Sequence, residues 1–401
     1  MLTPFEVIAV GLMGANGYWW GRIELRLRKQ RRRWIARIFL FGFCVAAIAF
    51  PWIAGNFGHV LPPFLPAEAL LWDVLILPFF FVAALLLDLR AAGKWIWSKK
   101  SPAPSPPSPQ IAASDMSRRR FLSTMAVIAP PVLGGGLAVV GVEQIGDFSL
   151  KEVDLAVRGW PEKLRGFTIA FVSDVHVGPF STPKMLKDVV AMTNTMCNGG
   201  PADLMLYGGD LINTTLRDLP VALDMATQLK GKLGMYFCQG NHDVMDNPFE
   251  FARRVRAAGL RLLLNEADTI EPKPGVRLQI LAACWATGDP AQYRQVDRTA
   301  VLRDPTAYPI MMIHHPHGWD RAEPLGFPLI LSGHTHGGQL MLTKNIGAGP
   351  LKFRYWTGIH RRNGSTLLIN NGAGNWFPLR VNAPAEIQKL VLRPAEKSEI
   401  A

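Results

Sequence analysis

The chain has 401 residues, 49% of them hydrophobic and 18% charged, with 43 Lys or Arg against 31 Asp or Glu and a formal net charge of +12. That composition excludes a disordered chain, which would be poor in apolar residues, and a collagen-like one, which would carry a glycine period. The mean hydropathy of +0.14 is high for a soluble enzyme, so the placing of the apolar residues matters.

The first 147 residues hold 15 Lys or Arg against 8 Asp or Glu, and the remainder 28 against 23. The basic excess thus gathers beside apolar runs, without interleaved polar helices or stacking aromatics, which favours membrane topology over nucleic-acid binding. The first apolar run, Val7 to Trp20, is short and glycine-rich. Trp34 to Phe57 carries one charge, Arg37 near its start, and is long enough to cross a hydrocarbon core of about 30 Å as a helix. Ala69 to Leu87 is similar, with Asp73 near one end. Together they predict a transmembrane helical region over 1–100 of about three spans. Phe121 to Val142 predicts a last span or signal anchor within 121–147, kinked by Pro130, Pro131 and Gly134 to Gly136.

Residues 22–33 hold seven Lys or Arg, residues 58–68 hold none, and residues 88–120 again hold Arg90, Lys94, Lys99, Lys100 and Arg118 to Arg120. Positive charge near helix ends stays cytoplasmic, so this alternation sends everything after Val142 outside. The predicted location is therefore a bacterial inner membrane, multi-pass, with the C-terminal domain on the periplasmic side. Residues 101–120 read as a mobile Pro/Ser linker, SPAPSPPSPQ, followed by Ser117-Arg118-Arg119-Arg120-Phe121-Leu122. That hexapeptide resembles the twin-arginine export signal, with Ser123 where a Lys is usual. The resemblance implies export of an already folded domain and a partnership with the twin-arginine machinery. On the plainer reading the three arginines only enforce topology. Cys44, Cys197, Cys238 and Cys284 show no close pairing or metal-like spacing and read as small buried hydrophobes.

Residues 148–401 are enough to bury one sizeable core. In them, short apolar or β-branched runs each stop at a polar cluster. Phe167 to Val172 runs into Ser173-Asp174-Val175-His176, Leu204 to Tyr207 into Gly208-Gly209-Asp210, and Met235 to Cys238 into Gly240-Asn241-His242-Asp243. Ile310 to Ile313 runs into His314-His315-Pro316, and Leu329 to Leu331 into Ser332-Gly333-His334-Thr335-His336. Each reads as a buried strand delivering ligand-type side chains from its carboxyl end to one rim of a sheet. Helices are predicted over Pro183 to Asn198, Pro220 to Leu229 and Pro248 to Ala258, giving an α/β layered domain. Two Asp, one Asn and several His without thiolate suit Mn, Fe or Zn, and there are too many ligands for one ion. A pair of divalent metal ions sharing a carboxylate uses them all.

The set Asp174-x-His176, Gly209-Asp210, Gly240-Asn241-His242-Asp243, His314-x-Pro316 and Gly333-His334-x-His336 resembles the calcineurin-like metallophosphoesterases in order and spacing, over roughly Leu150 to Leu392. Gly337-Gly338-Gln339, Asn371 to Gly374, Pro378 to Arg380 and Ala385 to Ile387 further resemble the branch holding membrane-associated bacterial enzymes and UDP-diacylglucosamine pyrophosphatases. The resemblance implies a four-layer αββα metallophosphoesterase sandwich and two divalent metal ions. It implies Asp174, His176 and His336 on one ion, Asn241, His314 and His334 on the other, and Asp210 bridging. His315 is the runner-up to His314. His242 would stand near the scissile phosphate, Asp243 would orient it, and a metal-bridging hydroxide would attack in line. Asp174 with His176, and His334 with His336, would share a face if those segments are extended.

Trp285, Trp319, Trp356 and Trp376 read as core or as cleft lining, and Arg354, Arg361, Arg362 and Arg380 as a solvated face able to engage phosphate or anionic headgroups. The reading is thus a membrane-anchored phosphoesterase acting on a phosphorylated small-molecule or lipid-linked envelope substrate, with no specific nucleic acid expected. Its rivals are a non-catalytic membrane sensor or scaffold that keeps the fold, and an extracytoplasmic nuclease.

Overall fold

The computed structural model describes residues 4–28, 71–72, 76–98, 109–343, 346–347, 349–396 and 399. The predicted span Trp34 to Phe57 lies outside the described residues. The chain divides into two compact units, Met1–Val142 and Glu143–Ala401.

In the first unit, helices Pro4–Arg28 and Leu77–Ser98 pack through Trp19, Ile23, Leu77 and Ala84. Tyr18 stands edge-on to Phe81, with ring centroids 5.3 Å apart, and Arg22 pairs with Asp88. Val7 to Trp20 falls inside the first helix. The second helix does not stop with its apolar run at Leu87. Good helix formers at Leu89 to Ala92 carry it through Asp88 and Arg90 and on past Gly93 to exposed Trp95 and Trp97. Of the predicted linker Ser101 to Gln110, residues 101–108 lie outside the described residues, and Pro109 and Gln110 belong to a helix. Pro109, a favoured first-turn residue, opens a 35-residue helix to Glu143 that carries Arg118 to Arg120 straight into the apolar run. Among the described residues one stretch, Ile128–Gly146, is long and apolar enough to cross a membrane.

The second unit holds thirteen described strands. They are β1 (Phe148–Val157), β2 (Phe167–Val172), β3 (Leu204–Tyr207), β4 (Met235–Phe237), β5 (Glu266–Lys273), β6 (Val276–Ala283), β7 (Tyr308–Ile313), β8 (Leu329–Ser332), β9 (Met341–Thr343), β10 (Ile346–Gly347), β11 (Gly358–Arg362), β12 (Ser365–Ile369) and β13 (Ala385–Pro394). One sheet has the order β1-β13-β2-β3-β4, a second β11-β12-β8-β7-β6-β5, and β10 pairs with β9. The period-2 alternation of strand side chains sorts the core into layers. Ile169, Phe171, Leu204 and Leu206 of the first sheet pack against Leu278, Ile280, Ile310, Met312, Leu329 and Leu331 of the second. Their neighbours Ala170, Val172, Met205 and Tyr207 face outward onto helices Pro183–Thr195, Leu219–Ala226 and Pro248–Ala257. On the far side Leu281, Met311, Ile313 and Ile330 pack against Val296 of helix Asp289–Ala300 and against Trp319. The order is helix, sheet, sheet, helix.

Two of the predicted helices begin where capping chemistry is available. Thr182 and Asn247 accept hydrogen bonds from the N–H groups of Met185 and Glu250, each just ahead of a proline. Strands β2, β3 and β4 are mutually parallel, as are β6, β7, β8 and β12. Their carboxyl ends therefore emerge on shared edges, and the polar clusters that follow them can meet.

Candidate metal centre

The loops after β2, β3, β4, β7 and β8 bring Asp174, His176, Asp210, Asn241, His242, His314, His334 and His336 together. His176 Nε2 lies 2.9 Å from His336 Nε2, the span of two ligands about 2.1 Å from a common ion. His336 Nε2 is 3.3 Å from Asp174 Oδ1. Asp210 Oδ2 lies 3.5 Å from His176 Nε2 and 3.1 Å from His314 Nε2, so that one oxygen is reached from both sides. Asn241 Oδ1 sits 2.7 Å from His334 Nδ1 and 3.2 Å from His314 Nε2. Asp174, His176, Asp210, His314 and His336 are at most 1% exposed.

The convergence does not come from extended segments, as the sequence reading of Asp174 with His176 and of His334 with His336 supposed. Asp174, His176, Asp210, His334 and His336 all have φ between 47° and 72°, and His336 opens a short 3₁₀ turn. Left-handed backbone is costly for such residues and persists where the surroundings over-determine it, commonly at functional sites. Here it turns consecutive side chains toward one point. Two glycines make room for the carboxylates. A Cβ on Gly333 would lie 2.1 Å from Asp174 Oδ2, and one on Gly240 2.1 Å from Asp210 Oδ1.

Hydrogen bonds orient the rings. His314 donates from Nδ1 to the Gly208 carbonyl at 2.7 Å, which aims Nε2 at Asp210. His315, the alternative, turns its Nδ1 back to accept the N–H of His317. Burial alone would depress His314, but the Asp210 and Asp174 carboxylates outweigh it and push it up to about 10. Burial holds His176 and His334 well below the usual imidazole range, so their rings are neutral and their lone pairs available. Burial opposes ionisation of Asp174, but His314 and His336 more than compensate and hold it below the usual carboxylate range.

The role read for Asp243 needs correction. Its carboxylate does not touch the His242 ring. It accepts the N–H groups of Asp210 and Gly240 on Oδ2, at 2.9 and 3.0 Å, and of Leu211 and Ile212 on Oδ1, at 2.8 and 3.3 Å. Its acceptor capacity is used in holding the Asp210 loop. His242 is instead oriented by Asn213, whose backbone carbonyl accepts from Nδ1. That partner was invisible in the sequence because a backbone atom supplies it.

Arg380 also departs from the reading of a solvated face. It is fully buried and donates to the carbonyls of Asn371, Gly372, Gly374 and Ala383 and to Asn375 Oδ1, with Nη2 3.2 Å from His336 Nδ1. Burial brings its pKa down to about 10. Arg354 and Arg362 are paired with Asp289, Asp320 and Glu323. Trp319 and Trp356 are buried. Trp285 and Trp376 flank the site, with ring centroids 4.9 Å from His334 and 6.4 Å from His242 respectively.

Asp174, His176 and His336, then His176, Asp210 and His242, then Asp210, His314 and His334, each bring ligand atoms within 4.8 Å of one another. Oxygen and imidazole donors without thiolate fit divalent Mn, Fe or Zn. Two packed mixed sheets carrying such a rim are the architecture of a metallophosphoesterase. Residues 167–338 match the family model described as Calcineurin-like phosphoesterase. Similar proteins include a "Transmembrane protein with metallophosphoesterase domain" from Danio rerio, 28% identical, aligned over 61% of this chain and 57% of that one. "Phosphodiesterase YaeI" of Escherichia coli is 27% identical over 69% of this chain and 99% of its own length. "Uncharacterized metallophosphoesterase YkuE" of Bacillus subtilis is 26% identical over 69% and 98%. The chain spans 57% to 60% of the length of the first relatives, the Danio rerio protein and two from Helicobacter pylori.

Proposed function

We propose that the chain is a membrane-anchored, binuclear metal-dependent phosphoesterase of the bacterial inner membrane, with its catalytic domain on the periplasmic side. Its substrates would be phosphate esters or pyrophosphates, lipid-linked or otherwise of the envelope. The observation that carries the reading is Asp210 Oδ2, approached to 3.5 Å by His176 and to 3.1 Å by His314 from two separate ligand groups. Asp174, His176 and His336 would hold one ion, Asn241, His314 and His334 the other, and Asp210 both. Bound divalent ions supply Lewis-acid charge to phosphoryl oxygens and activate water. Asn213 fixes the His242 ring through Nδ1, so Nε2 is the atom left to hold or give a proton at the leaving oxygen. Asp243 and Arg380 keep the Asp210 and His336 loops in place.

The apolar stretch Ile128–Gly146 supports anchoring, as does the transmembrane relative's name. The alternation of basic loops supports the periplasmic side, and the Ser117 to Leu122 hexapeptide supports export by the twin-arginine machinery. The test is the full chain in detergent, stripped with chelator and reloaded with Mn²⁺, assayed on bis(p-nitrophenyl) phosphate. Turnover that needs metal and is lost in Asp210→Asn is expected. Equal inertness of wild type and variant at full metal occupancy would favour the scaffold reading.

A further inference from the structure

The domain holds a second feature that the metal centre does not use. A row of aromatic rings leads away from His242. The Trp376 centroid lies 6.4 Å from the His242 ring, Phe377 lies 5.7 Å beyond it, and Phe180 6.5 Å beyond that. Trp376 is 41% exposed, a large apolar surface left open beside the site. Phe180 then forms one wall of a cavity of about 110 Å³, whose other apolar lining includes Ile145, Phe148, Met185, Ala373 and Ala385. Lys184 and Asp188, also part of the lining, pair with each other at 2.5 Å.

Two relationships say what this cavity faces. Ile145 and Gly146, both in its wall, are the last residues of the apolar stretch Ile128–Gly146, so the cavity lies where the chain leaves that stretch. Ala373, on another wall, belongs to the loop behind the metal ligands. Its N–H donates to the Ser173 carbonyl and that of Gly374 to the Asp174 carbonyl, both at 2.8 Å. One cavity therefore adjoins both the ligand loops and the end of the apolar stretch.

We propose that it is a subsite for the hydrocarbon tail of an amphiphilic phosphoester, with Trp376, Phe377 and Phe180 lining the path from phosphorus to tail. This rests on the phosphoesterase reading and names the substrate class for it. An apolar cavity of about 150 Å³ stays dry and takes benzene, so this one takes a few methylenes of a chain. A polar or charged substituent would lose hydration against the apolar walls of Ile145, Phe148, Phe180 and Met185. Each methylene buried corresponds to about fourfold in affinity. The tail dependence should therefore rise over the first carbons and then flatten.

The experiment uses the full chain in detergent with p-nitrophenyl alkyl phosphodiesters from methyl to hexyl, together with alkylphosphonates of the same lengths as non-hydrolysable ligands. In wild type, kcat/KM for hexyl over methyl should exceed about tenfold, carried by KM, and phosphonate affinity should climb in parallel. Met185→Trp fills the cavity and should bring both hexyl-to-methyl ratios close to one. Partition into detergent is common to the two proteins and cancels in that comparison. Hydrolysis independent of tail length, or a tail dependence that survives Met185→Trp, would overturn the subsite and leave the phosphoesterase reading intact. Failure to hydrolyse any ester would overturn that reading instead. The phosphonate series then decides the subsite, which stands if affinity climbs with tail length in wild type alone and falls if it does not.

Discussion

Asp243 Oδ2 accepts the backbone N–H of Asp210 at 2.9 Å, so one buried carboxylate sets the position of another. Burial and then the Asp210 charge push Asp243 up to about 7, while N–H donors favour its ionised form. Each Asp243 oxygen accepts two N–H groups. In Asp243→Asn one pair must face an NH₂ whichever way the amide is turned. Leaving buried donors unsatisfied costs on the order of 3 kcal/mol. The variant should melt lower, retain less Mn²⁺ and lose about 100-fold or more in kcat, much as a displaced catalytic group does. His242→Ala should lose rate while keeping its metal. Calorimetry with metal analysis separates the two, and normal melting and metal content in Asp243→Asn would show that the loop holds itself.

Arg380 gives a second prediction. Its guanidinium bonds four carbonyls and an Asn side-chain oxygen in the 371–383 loop, whose Gly372 packs against the His336 ring. Lysine has three rotatable donors and no fork, so Arg380→Lys leaves carbonyls without donors. A loss of about 3 kcal/mol or more in denaturant unfolding is expected, with Arg380→Met worse. Metal titration should show one site weakened more than the other, because Arg380 approaches His336 and none of Asn241, His314 or His334. Uniform weakening of both would mean that the loop supports the whole rim.

The convergence of the nine residues from Asp174 to His336 was legible in the sequence because each follows a short apolar run that becomes a buried strand, whereas the backbone-holding role of Asp243 was not. Strand ends are encoded locally, and parallel pairing then brings them to common edges. What was illegible was non-local or carried by backbone. Left-handed φ at Asp174 or His334 has no signature in the residue type, and an Asn213 carbonyl has none at all. Arg380 reads as a surface residue until Asn371 to Ala383 are seen to wrap it. The Pro/Ser segment misled in a different way. Proline weighs against helix inside a run but favours the first turn, so Pro109 began a helix where composition predicted a linker.

Gly333 offers a test of close approach. A Cβ there would stand 2.1 Å from both Asp174 Oδ2 and Ser173 Oγ, neither of which is a flexible chain end. Gly333→Ala must displace Asp174, whose oxygens also accept the His334 N–H at 3.0 and 3.1 Å. The expected result is a loss of about 1–3 kcal/mol in stability. Weakened Mn²⁺ binding should accompany it, seen by calorimetric titration. Gly275→Ala lies in the β5–β6 turn with open space around its Cβ and φ of 74°. It should cost some stability through backbone strain yet leave metal affinity as it was.

The pH dependence of folding can be read at Asp203, away from the metal rim. Its carboxylate accepts the N–H and hydroxyl of Thr168 at 2.9 and 2.8 Å and Lys232 Nζ at 2.9 Å, tying the starts of β2 and β3 together. Burial would raise its pKa, but the Thr168 N–H, Lys232 and the Thr168 hydroxyl outweigh it, and the group titrates below its ordinary 3.8. A carboxylate with a depressed folded pKa contributes stability that is fully present above the unfolded value and is lost as pH falls through the folded one. Asp203→Asn should therefore destabilise by about 1–2 kcal/mol at pH 7. The gap between variant and wild type should persist down to pH near 3.8 and close only below it. Denaturant unfolding of both proteins over that range checks the sign. A gap that closes well above 3.8 would mean that the carboxylate is not held ionised by these partners.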